Sequence, residues 1–99
     1  MKVPDRWIIL ATPVCHKIFS GGYGGYCGSD SWWLSSMIVD HEDCDKYLEV
    51  TTSSGSVYRL YKDSCGMSRY MESTLNSWQT RLKDANQPTL VDITSTYLK

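Results

Sequence analysis

Apolar and polar positions alternate along the first two thirds of the chain and then change period. Trp7-Ile8-Ile9-Leu10-Ala11 is a short unbroken apolar run rich in β-branched and aromatic residues, which predicts a buried strand interrupted at Pro13. Val14, His16 and Ile18 then alternate with Cys15, Lys17 and Phe19, so residues 7–19 are expected to form one bent edge strand or two. Residues 21–31, GGYGGYCGSDS, hold five glycines, each of which loses more backbone entropy on ordering than any other residue, and predict a loop. Alternation returns over residues 32–39, with Trp32, Leu34 and Ile38 set against Trp33, Ser35 and Met37. Residues 40–45, Asp-His-Glu-Asp-Cys-Asp, read as an acidic turn. Residues 47–52 and 57–61 read as the two strands of a hairpin closed by Ser53-Ser54-Gly55-Ser56.

Past Gly66 the period lengthens. Met67, Met71, Leu75, Trp78 and Leu82 recur every three or four residues and line one stripe of a helix over residues 68–84. Glu72 near its start and Arg81 and Lys83 near its end match the helix macrodipole. Asn86-Gln87-Pro88 stops it, and the alternation over residues 90–98 predicts a last strand or an extended tail. Strands followed by a helix give an α+β fold: an antiparallel sheet of four to five strands with one amphipathic helix packed on one face, in a single domain over residues 1–99. No self-similar period indicates a repeat protein.

Composition narrows the function classes. With 99 residues, 41% of them hydrophobic, the chain buries one modest core and has little room for an enclosed cavity. No apolar run approaches the roughly 20 residues of a membrane span, so a soluble protein is expected. Ten basic against eleven acidic residues argue against a dedicated nucleic-acid binder. That balance is an average: Asp40, Glu42, Asp43, Asp45 and Glu49 face only Lys46 within residues 40–49, while residues 50–83 are net basic. Four Trp and seven Tyr against one Phe mean that most rings carry a polar atom, which suits contact surfaces.

The opening residues carry Asp5 and lead into a short apolar run, unlike a signal peptide, so a reducing cytosol with free thiols is expected. Cys27 with His16 or His41 supplies the residue types of a thiol nucleophile and base, but the flanking Gly28-Ser29-Asp30-Ser31-Trp32 departs from the papain-type signature and no remote downstream His follows. Of Cys15, His16, Cys27, His41 and Cys44, only His41-x-x-Cys44 has the tight spacing of a zinc knuckle. The acidic segment lacks the glycine and terminal glutamate of a calcium loop, and the glycine segment lacks the lysine of a phosphate loop. No metal or cofactor is expected. Tyr23 and Tyr26, displayed between glycines, have the composition of binding loops. Trp32 and Trp33 are neighbours on a strand and point to opposite faces, so whichever faces away from the helix is exposed, covered by the glycine loop or buried by a partner, and Trp33 is the candidate hot spot.

The strings Gly21-Gly22-Tyr23 … Gly28-Ser29-Asp30-Ser31-Trp32-Trp33-Leu34-Ser35-Ser36 and Ser54-Gly55-Ser56-Val57-Tyr58 … Lys62-Asp63-Ser64-Cys65-Gly66-Met67 cover roughly the middle half of the chain. They resemble small accessory proteins of tailed bacteriophages, among them anti-CRISPR and other anti-defence proteins. The resemblance implies a protein of the bacterial host cytoplasm that acts by binding a defence component, and no catalytic residues carry over from it. The expectation is therefore a non-catalytic inhibitor of a bacterial protein or nucleoprotein defence complex, making contact through Tyr23, Tyr26, Trp33, Asp40, Glu42, Asp43 and Asp45. An uncovered Trp33 face would equally serve a homodimer. Two alternatives are a small-ligand binder that sequesters a signalling nucleotide through aromatic stacking and Arg59, Lys62 or Arg69, and a thiol enzyme centred on Cys27.

Overall fold

The computed structural model describes residues 2–23 and 32–98, with side chains described for residues 2–21 and 32–98. Five long strands run up and down in chain order: β1 (Pro4–Ala11), β2 (His16–Tyr23), β3 (Trp32–Asp43), β4 (Tyr47–Thr52) and β5 (Val57–Tyr61). A single turn of 3₁₀ helix leads from β5 toward helix α1 (Arg69–Asp84). A two-residue strand β6 (Val91–Asp92) and a short helix α2 (Thr94–Tyr97) follow. The sheet order is β5-β4-β3-β2-β1-β6 with antiparallel neighbours, so the fold is α+β with six strands and one main helix.

Residues 7–19 form two strands, and the first begins earlier, at Pro4. Thr12 makes the reversal between them: its Oγ1 accepts the Cys15 N–H at 3.0 Å and its own N–H donates to the Cys15 carbonyl at 2.8 Å. Gly21, Gly22 and Tyr23 belong to β2 instead of the expected loop. Pairing explains this, because Gly21 is held between Arg6 of β1 and Trp32 of β3. The acidic segment is likewise mostly strand: β3 runs on to Asp43, with Asp40↔Thr51 through Asp43↔Leu48 in register, and only residues 44–46 turn. In place of a last strand over residues 90–98, β6 covers two residues and the chain then coils into α2.

Two irregularities in β3 disturb the expected alternation. Lys17↔Met37 followed by Phe19↔Leu34 places an extra residue on β3, and Ile38↔Thr52 followed by Asp40↔Thr51 places a second. Each extra residue reverses which way later side chains point and bends the strand. Leu34 therefore packs under α1, while Ile38 packs against the cluster on the other side of the sheet.

The bending curls the meander around an inner cluster of Trp7, Ile9, Ile18, Leu48, Val50, Tyr58 and Leu60. Its two ends meet: the Lys2 N–H donates to the Val57 carbonyl at 2.9 Å, and the Arg59 N–H donates to the Lys2 carbonyl at 2.8 Å. With five strands running alternately up and down, the first and fifth meet parallel. The Trp7 indole N–H reinforces the closure by donating to the Tyr61 carbonyl at 2.7 Å. Ile93, Tyr97 and Leu98 pack against the same inner cluster.

On the outer side of the sheet, Ile8, Leu10 and Phe19 are apolar and receive Met71 and Leu75 of α1. Helix α1 starts where the Ser68 hydroxyl accepts the Met71 N–H at 3.2 Å. It ends in a Schellman motif: Asn86 takes φ 55°, its N–H reaches the Lys83 carbonyl, and the Gln87 N–H reaches the Leu82 carbonyl at 2.8 Å. Among the described residues, no helix covers the outer side of β4 and β5. No helix among the described residues is long and apolar enough to cross a membrane.

The tail is sewn to β1 through Thr94, which is 5% exposed. Its Oγ1 accepts the Ile9 N–H at 2.9 Å and donates to the Asp92 carboxylate. Thr94→Val keeps the shape but leaves the Ile9 N–H unsatisfied in the interior. It is expected to lower stability by about 1–3 kcal/mol, read as a fall in the urea midpoint at unchanged slope. Thr80→Val on the exposed side of α1 should stay within about 0.5 kcal/mol.

Candidate functional site

Register decides which acidic side chains face solvent together. Paired residues share a side of the sheet, and Val50 and Leu48 belong to the inner cluster, so their partners His41 and Asp43 lie at its rim. Asp40 and Glu42, paired with Thr51 and Glu49, stand on the outer side. Glu42 is thus directly opposite Glu49, a like-charge pairing that destabilises a sheet.

Asp43 has a different task. Its Oδ1 accepts the Lys62 ammonium at 2.8 Å and the Asp45 N–H at 2.9 Å. The Lys62 hydrogen bond first, and the Asp45 N–H second, hold its carboxyl below the ordinary 3.8. Asp45 takes φ 75° in the turn, and the Cys44 N–H closes that turn on the Tyr47 carbonyl at 2.9 Å. Asp43 and Asp45 therefore shape the connection, while Asp40, Glu42 and Glu49 are the carboxylates left outward.

Beside these carboxylates lies Arg59, one of the cations of the nucleotide-binding alternative, together with Tyr47 and Tyr61, which the sequence alone did not single out. Arg59, paired with Glu49 across β4 and β5, lays its guanidinium over the Tyr47 ring at 4.4 Å, and Tyr47 meets Tyr61 at 5.5 Å between centroids. The side-chain hydrogen bond to Tyr61 first, and the Glu49 carboxylate after it, raise the pKa of Arg59 against the opposing effect of burial. Arg59 Nε is enclosed without a hydrogen-bond partner among the described residues. The signal for this face was the plain alternation Tyr47-Glu49-Thr51 against Val57-Arg59-Tyr61.

Trp33 sits elsewhere. It shares the inner side with its partner Ser20, is 52% exposed, and has the Lys2 ammonium 5.5 Å from its ring; the same ammonium is 5.4 Å from Tyr58. At about 3.3 Å per strand residue, less the bulges, it is on the order of 25 Å from Glu42 along β3. Trp32 takes the outer side, where its ring meets Trp78 edge-on at 4.9 Å. The Tyr23 backbone pairs with Pro4 at the Trp33 end of the sheet, and its side chain lies outside the described part of the molecule. Tyr26 and Cys27 lie outside the described residues. The structure thus brings Asp40 and Glu42 together and separates them from Trp33.

A second cluster depends on α2 and had no clear signal in the sequence. His16 Nδ1 and the Tyr97 hydroxyl are 2.8 Å apart, and the His41 ring meets the Tyr97 ring edge-on at 4.7 Å. Among the described residues, no three of His, Cys, Asp and Glu are grouped closely enough to hold a metal ion. Cys15, Cys44 and Cys65 are free thiols, and burial, followed by the Asp92 charge, pushes the Cys65 thiol above its ordinary 9.0. Of the three cations weighed for phosphate recognition, Lys62 is paired with Asp43, Arg69 opens α1, and Arg59 lies on the bare face. Compared with protein-family models, curated proteins and solved structures, the chain matches none of them.

Because its folded pKa is lowered, Asp43 adds stability above its ordinary titration range, and that contribution fades as pH falls through the lowered value. An NMR titration of the Asp43 carboxyl should show a midpoint below 3.8, moving up in Lys62→Gln. An unchanged midpoint would mean that the ion pair does not persist in solution.

Proposed function

We propose that this chain is a non-catalytic binding protein of the bacterial cytoplasm that blocks a CRISPR-Cas-like defence complex by seating the outer face of β3, β4 and β5 on a basic functional surface. The observation that carries the reading is the apposition of Glu42 and Glu49 across neighbouring strands, with Asp40 beside them and no ion pair to any of the three among the described residues. A sheet that holds two carboxylates opposite each other gives up stability that a cationic partner restores on binding. Tyr47 and Arg59 beside them are residue types enriched at the energetic centres of interfaces. The resemblance to phage accessory proteins supplies the class of target and the host compartment.

One observation favours a second reading, sequestration of a signalling nucleotide. Arg59, its guanidinium over the Tyr47 ring and that ring beside Tyr61, sets a positive charge for a phosphate next to aromatic faces. A thermal shift on adding cyclic dinucleotides, absent in Arg59→Gln, would support that reading over the first.

For the inhibitor reading, immobilised chain is expected to retain a defence complex from a bacterial lysate at low salt and release it as salt rises. The variant D40N/E42Q should retain it about tenfold more weakly, yet unfold at the same or a higher temperature, since the like-charge pairing is gone while Glu49 keeps Arg59 across from it. Equal retention by the variant rules out the acidic face as the contact.

A further inference from the structure

We infer that the hollow between the second half of α1 and the sheet is a binding site for a small amphipathic carboxylate, an apolar body of one ring or a short chain bearing a single acid group. The hollow measures about 320 Å³ and is lined by Leu34, Trp78, Arg81, Leu82 and Leu90. That is the lower end of the range for small-molecule pockets, which begins at roughly 300 Å³. Its interior surface is apolar throughout, so Arg81 contributes its alkyl stem to the wall and carries its guanidinium to the rim.

The walls are held in place by specific contacts. The Gln79 amide grips the Leu90 backbone at both ends: its Nε2 donates to the Leu90 carbonyl at 2.7 Å, and its Oε1 accepts the Leu90 N–H at 2.8 Å. These two hydrogen bonds fix one wall against the helix. Trp78, on the helix, is held between Trp32 at 4.9 Å and Phe19 at 5.2 Å. Arg81 makes no ion pair among the described residues. Arg81 and Lys83 outnumber Asp84 in the last turn, and that surplus exceeds the partial negative charge of the helix end, so an anion meets a net positive rim. An apolar floor with a single unpaired guanidinium at its edge complements a molecule with one apolar body and one carboxylate, and leaves a second polar group without a partner.

The test uses the whole chain, with phenylbutyrate as the probe and phenylbutanol as its neutral counterpart, followed by the indole N–H signals in two-dimensional NMR. Phenylbutyrate is expected to shift the Trp78 indole saturably and to bind about tenfold more tightly than the alcohol, the scale of one charge-assisted hydrogen bond. In Arg81→Gln, an exposed and fold-neutral change, the acid should fall to the level of the alcohol. Leu82→Trp, which fills the hollow, should abolish both. No saturable shift, or shifts centred on Trp33, overturns the proposal. Equal affinity for acid and alcohol also overturns it, and assigns the hollow to an uncharged group such as an apolar side chain of a partner protein.

Discussion

Strand β1 is buried on both of its faces, and the rest of the molecule is arranged around that fact. Trp7, Ile8, Ile9 and Leu10 are each no more than 3% exposed, because Trp7 and Ile9 point into the curled sheet while Ile8 and Leu10 point at α1. A strand with two apolar faces needs cover on both sides, and the chain supplies a helix for one and its own curvature for the other. The long-range polar ties also end on it: Tyr61 and Gly66 on Trp7, and Ile93 and Thr94 on Ile9. The bare outer face of β4 and β5 follows from the same arrangement. One helix covers the apolar part of the outer side and, among the described residues, leaves the mixed Tyr, Glu and Arg part half-buried without a helix over it.

Much of this was legible where a local rule decides the outcome. The β4–β5 hairpin lies where its alternation and Gly55 place it, and α1 runs from a Ser cap to an Asn stop because both ends are encoded within one turn of the helix. Legibility failed where distant pairing decides. Nothing near Gly21 shows that Arg6 and Trp32 will hold it in a strand, and nothing near Ile38 shows that a bulge will reverse its face. The tail became a helical turn because Thr94 docks on Ile9, a partner 85 residues away. The candidate site divides in the same way. Composition marked the acids of residues 40–45, but Lys62 makes Asp43 a structural group and the β4 register brings Glu49 in.

The outer side of the sheet therefore carries two neighbouring regions of opposite character. Under α1 lie apolar side chains, ending at the hollow bounded by Leu34, Trp78 and Leu90. Beyond the bulges of β3 the same side becomes a row of carboxylates beside stacked Tyr and Arg. One continuous backbone carries both, and the two extra residues of β3 set the boundary between them.

The way the meander closes also separates the stages of folding in free energy. From β1 to β5 each strand pairs with the next across a short connection, so that part of the sheet grows from contacts that are local in sequence. The bond from Ile9 to Thr94 instead closes a loop of 85 residues. By the logarithmic dependence of loop entropy on length, that closure costs about 3 kcal/mol more than closing a turn of four residues, and the difference falls to the extent that the hairpins have already shortened the path. The last dozen residues thus have least reason to order early, and they carry Tyr97, Leu98 and Ile93, which pack against the inner cluster. The inner core is complete only when the chain's two ends have both arrived at β1.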